Sequence, residues 1–139
     1  MSLVAAVARR LGLATLLVFA MSFSVVRSDE LAEFHVAVEQ ATTDYRAALA
    51  ILETSSQADT TAAVNRFRQA WQSINDRFGA NRPAAFADDA DFVTTFMVVD
   101  MRLIGVLLTI ELGNRDAARD GLRPIGETLA QLSARSAPK

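Results

Sequence analysis

Apolar residues recur along this chain at alternating spacings of three and four, the signature of helices that each bury one stripe. Four segments carry the pattern. In the first, over about residues 29–54, Leu31, His35, Val38, Thr42, Tyr45, Leu49 and Leu52 form the seam, widened by Phe34, Ala41 and Ala48. Ser28 followed by Asp29 and Glu30 has the chemistry of an N-cap with acids in the first turn, so this helix is expected to begin there. The run SSQADTT interrupts the pattern, and Ser56 with Asp59 can cap a second helix over 57–78, whose seam is Val64, Phe67, Trp71, Ile74 and Phe78. Gly79 is expected to end it in a left-handed conformation.

A loop containing Pro83 follows, and Asp88 or Asp89 is placed to cap a third helix over 89–112. That helix carries two seams. Phe92, Phe96, Val99, Leu103, Val106 and Ile110 make the first; Met97, Met101, Ile104 and Leu108 make the second. The stretch is apolar enough to suggest a membrane span, yet Asp100 and Arg102 sit near its middle, where each would cost about 2.5–3.5 kcal/mol in a bilayer. A bundle helix is therefore expected, with its second face covered by a partner, the N-terminal segment or a ligand. Asp100 has no i+4 partner on its own helix and is expected to pair with another helix, to cross a dimer interface, or simply to be exposed, rather than to serve catalysis. Gly113 and Asn114 separate this helix from a fourth, in which Ala118, Leu122, Ile125, Leu129 and Leu132 keep the repeat while Pro124 is expected to kink it or restrict its first turns. Short connections between four such helices predict an all-α, antiparallel up-down-up-down four-helix bundle over 29–135, with 136–139 as a frayed tail.

Residues 1–28 read as an export signal: Arg9 and Arg10 precede the uninterrupted apolar run LGLATLLVFAMSFSVV. The alternative is an uncleaved anchor holding the bundle at the inner membrane, facing the periplasm. Either way the bundle is expected outside the cytoplasm. The segment holds three arginines and no acid, so of 14 basic residues 11 remain against 16 acidic ones beyond it. Such an acidic body excludes the basic footprint of a nucleic-acid binder and a polybasic membrane surface. The absence of cysteine excludes disulfides, thiolate metal sites and covalent haem attachment through CxxCH.

His35 is the only histidine, so one chain cannot assemble a multi-histidine metal site. Glu39, one turn on, can reach its ring. Counted from the expected helix starts, His35 and Met97 differ in height by about 3 Å, at about 1.5 Å per residue. A histidine facing Met97 or Met101 across a bundle is the ligand set of a haem b or a soft copper site. Trp71, Phe78, Phe92, Phe96, Leu129 and Leu132 lie at the same end and could wall an apolar cofactor.

Helix number, length and the leading segment together resemble the periplasmic cytochrome b562 and cytochrome c′ bundles. The resemblance implies haem binding or electron transfer, but its ligand pattern departs: there is no CxxCH, His35 lies on the first helix, and the fourth helix has neither His nor Met after Leu122. No nucleophile with its base and no phosphate loop is present. The expected function is accordingly a non-enzymatic binding or accessory protein of the bacterial envelope, associating with itself or with an envelope protein through the third helix. Haem or copper handling through His35, Met97 and Met101 is the competing reading.

Overall fold

The computed structural model describes the backbone from Ser2 to Lys139 and the side chains from Ser28 onward. Four α-helices make up the order: α1 Ser2–Thr54, α2 Gln57–Phe78, α3 Phe92–Glu111 and α4 Arg115–Ser136, with a 3-10 turn at Ala84–Phe86 between α2 and α3. The chain divides into two units, Met1–Glu30 and Leu31–Lys139, and every contact described below lies within the second. The side chains on which the export-signal reading of residues 1–28 depends lie outside the described residues.

Ser28 does not cap a helix: it lies inside α1. Neither glycine nor proline occurs between Gly12 and Gly79, so backbone chemistry offers no stop at that point. The next helix start is as expected. Ser56 Oγ accepts from the Asp59 amide at 3.1 Å and donates to the Asp59 carboxylate at 2.8 Å. Gly79 is right-handed, with φ −61°; a Cβ there would strike the Asn75 carbonyl oxygen at 2.5 Å, so glycine serves close approach rather than handedness. The left-handed glycine is Gly113, φ +73°, after which Asn114 caps α4 by accepting from the Ala117 amide. Pro124 sits inside α4 without ending it. The C-terminal boundary also moves: α4 continues to Ser136, whose side chain is buried.

The predicted first seam of α3 is buried at all six positions, and the seams of α2 and α4 likewise. On α1 the stripe is rotated toward Phe34, Val38, Ala41, Tyr45, Ala48 and Leu52, leaving His35, Thr42 and Leu49 half-buried at its edge. Contacts give the arrangement of the helices. Glu33 and Phe34 meet Arg77 and Phe78 while Tyr45 meets Phe67, so numbers rise on α1 as they fall on α2. The same opposition relates α2 to α3 through Trp71–Phe96 and Arg68–Asp100, and α1 to α4 through His35–Ser136, Tyr45–Leu122 and Glu53–Arg119. Helices α3 and α4 approach closely at Gly121, where a Cβ would lie 2.8 Å from Val106.

One end of the core is aromatic. Phe86, carried by the 3-10 turn, packs edge-on to Phe34 with centroids 5.2 Å apart and against Phe92 at 5.0 Å. Phe34 meets Phe78, Phe92 meets Phe96, and Trp71 lies over Phe96 at 4.8 Å. A polar clasp closes this end: the Arg135 guanidinium lies 4.3 Å from the Phe86 ring centre and donates to Asp89 at 2.6 Å, while Arg82 donates to the Asp89 carbonyl. Asp89 accepts from the Asp91 amide too, so it ties the loop, and α3 begins three residues later than expected, at Phe92, after an Asp91 that makes no side-chain cap.

The hydrogen bond from Arg135 holds the Asp89 carboxyl below the usual carboxylate range. A depressed folded-state pKa stabilises the fold above the unfolded value of about 3.9 and ceases to do so as pH falls through the folded one. Asp89→Asn should therefore melt below the parent at pH 7, and the gap should close on acidification below about pH 4. A gap independent of pH would assign the loss to geometry rather than charge.

Candidate functional site

The second seam of α3 points to solvent. Val99, Leu103 and Val106 face the core, and a residue two positions away on a helix lies roughly 200° around the axis. Met97, Met101, Ile104 and Leu108 accordingly emerge on the opposite side, 61, 70, 55 and 55 % exposed. Val93, Val98 and Leu112 extend the strip at 42, 42 and 75 %. Gly105 lies within it with open space above its Cα. By length and composition α3 would suit a membrane span.

Charge borders the strip on both sides. Toward α2, Asp100 faces Arg68 at 3.9 Å, an ion pair beyond hydrogen-bonding range, and the buried Asp100 Oδ1 and Arg68 Nε have no hydrogen-bond partner among the described residues. This supplies the inter-helix partner expected for Asp100. Arg102 is exposed on the other flank. An apolar strip rimmed by charge has the anatomy of a protein-binding surface, where the centre is dry and the edge wet.

The predicted ligand residues do not converge. Phe34 meets Phe92 with centroids 6.0 Å apart; Met97 lies five residues beyond Phe92 and His35 one beyond Phe34, so at about 1.5 Å per residue the two differ in height by about 6 Å, twice the expected offset. Their directions differ: Met97 and Met101 project outward from α3, whereas the His35 ring turns to α4, its Nδ1 3.0 Å from Ser136 Oγ. Nor does Glu39 orient that ring, because it accepts a hydrogen bond from Ser133 instead. Ser136 Oγ is buried and within hydrogen-bonding distance of the Leu132 carbonyl at 2.8 Å as well as of the imidazole. The aromatic residues expected to wall a cofactor are packed on one another. Phe86, which the sequence pattern missed, fills the middle of that end; this side-chain set does not fit a haem between His35 and Met97 or Met101. Among the described residues, no group of three His, Asp or Glu side chains gathers as a metal site would.

Between α1 and α4 runs a groove of about 400 Å³ lined by Glu39, Tyr45, Arg46, Leu129 and Ser133. Burial pushes the Tyr45 hydroxyl above its usual range, and it donates to the Leu122 carbonyl at 3.1 Å, so the polar group nearest the core is already satisfied. No protein-family model, curated protein or solved structure matches this chain. The outer face of α3 is the surface whose chemistry the fold leaves unused.

Proposed function

We propose that this chain is an exported, non-enzymatic binding or accessory protein of the bacterial envelope, an up-down-up-down antiparallel bundle that docks a protein through the outer face of α3. One observation carries the reading: seven large apolar side chains, Val93 to Leu112, lie exposed along the side of α3 opposite its buried seam. At the exposures given they present about 700 Å² of apolar surface, above the ~300–600 Å² of the largest patch on an ordinary monomer. Placement outside the cytoplasm is supported by Arg9, Arg10 and the apolar run that follows them. Whether cleaved or kept as an anchor, that segment delivers the acidic bundle to the periplasmic side.

Methionine oxidation tests the docking reading directly, because a covered thioether is shielded from peroxide and an exposed one is not. In intact cells expressing the full chain, Met97 and Met101 should resist peroxide and should oxidise once the chain is purified and diluted. Oxidation at the same rate in both settings would show a bare face and overturn the reading.

A further inference from the structure

We infer that the occupant of this face is a second copy of the chain, its α3 lying antiparallel to the first about a twofold axis that passes between Met101 and Ile104. The inference rests on the docking reading above and names its partner. A twofold interface is self-complementary: if residue i meets j, then j meets i. The exposed strip has that symmetry in its own numbering. With the axis so placed, Met101 meets Ile104 of the partner subunit, Met97 meets Leu108 of the partner subunit, and Val93 meets Leu112 of the partner subunit.

Every large apolar residue on the centre line then has an apolar counterpart. Sliding one helix by seven residues in either direction leaves Leu108 and Leu112, or Val93 and Met97, hanging beyond the other α3. Spacing supports the same register. Met97, Met101, Ile104 and Leu108 follow one another at four, three and four, the repeat that lets two helices pack side by side at a shallow angle. Gly105, with nothing above it, admits the facing backbone.

Size and charge select this occupant and this direction. About 700 Å² of apolar surface per chain approaches the ~800 Å² that each partner gives to an interface of standard size. The segment entering α3 carries Asp88, Asp89 and Asp91, whereas its exit mixes Glu111 and Asp116 with Arg115. Parallel pairing would set two acidic entries side by side. Antiparallel pairing keeps the two acidic entries apart and opposes the two helix dipoles.

The chain has no cysteine, so introduced thiols report pairing without background. Met97→Cys and Leu108→Cys, both at exposed positions, are made in separate full-length chains and expressed singly or together, and intact cells are treated with a thiol oxidant. Co-expression should convert roughly half the chain to a disulfide dimer of twice the mass, the statistical share of mixed pairs in a twofold dimer. Each variant alone should stay unlinked, since antiparallel pairing leaves like positions about 16 Å apart along the axis, beyond disulfide reach. Self-linking of Met97→Cys alone would overturn the antiparallel arrangement. No linking in any combination would overturn the second copy. If Met97 and Met101 were still shielded from peroxide in that case, the docking reading would stand with a different protein as partner.

Discussion

Replacing Phe86 by alanine is expected to destabilise the bundle by about 3–5 kcal/mol, the range for a fully buried phenylalanine. The residue belongs to a loop, and loop substitutions are usually mild. Here the loop is a wall of the core: Phe86 is 0 % exposed, its ring meets Phe34 and Phe92, and Arg135 covers it from outside. Truncation removes that packing and leaves the aromatic end open to water beside two other rings. Against a domain stability of about 5–15 kcal/mol the loss is large, and the thermal midpoint should fall by roughly 15 °C or more. Circular dichroism melts of parent and variant measure it. A loss under about 1 kcal/mol would mean that the loop lifts away without exposing the core, and the clasp formed by Arg135 and Asp89 would then have no structural role.

The second large effect separates the two faces of α3. Leu103→Asp places a carboxylate at a site that is 0 % exposed within the apolar core. A buried charge without a partner destabilises by several kcal/mol, at least about 3–5, and this variant is expected not to fold. Ile104→Asp, one residue on, enters a site already 55 % exposed and should change the stability of the dilute chain by less than about 0.5 kcal/mol. Helical signal and melting midpoint for the pair decide the matter. Equal damage from both would mean that α3 is covered all round in the isolated chain, as a span would be in a bilayer; tolerance of Leu103→Asp would turn the helix over.

Much of this was legible because the chain punctuates itself chemically. Ser56 and Asp59, Gly113 and Asn114 mark helix ends through groups that satisfy specific backbone amides or accept a specific φ, and a three-four repeat fixes which side of α3 is buried. What escaped the sequence reading has equally physical reasons. Phe86 lies in a three-residue turn that has no periodicity to betray it, and its burial depends on Phe34, more than fifty positions away. Asp89 was available as a cap but is held by Arg135, a partner that only tertiary contact supplies. For His35, Met97 and Met101, counting residues from the expected helix starts misjudged the heights, because α1 runs on through Ser28 and α3 begins at Phe92, and it carried no information on the directions around each helix. The buried stripe of α1 is centred on Phe34 and Val38, one residue from where His35 would place it, and that rotation carries the imidazole toward Ser136.

Trp71 has a consequence for how association and folding can be told apart. It is the single tryptophan of the chain, 0 % exposed, stacked on Phe96 with its indole N–H 3.4 Å from the Phe96 carbonyl. It sits on the α2 side of α3, across the helix from Met97 and Met101. Its fluorescence is therefore an optical gauge of the core alone, blue-shifted while the indole is dry and moving to the red when water enters. Dilution that parts two copies leaves that colour unchanged, whereas denaturant that opens the bundle shifts it, so a chain separated from its partner and a chain unfolded carry different spectra.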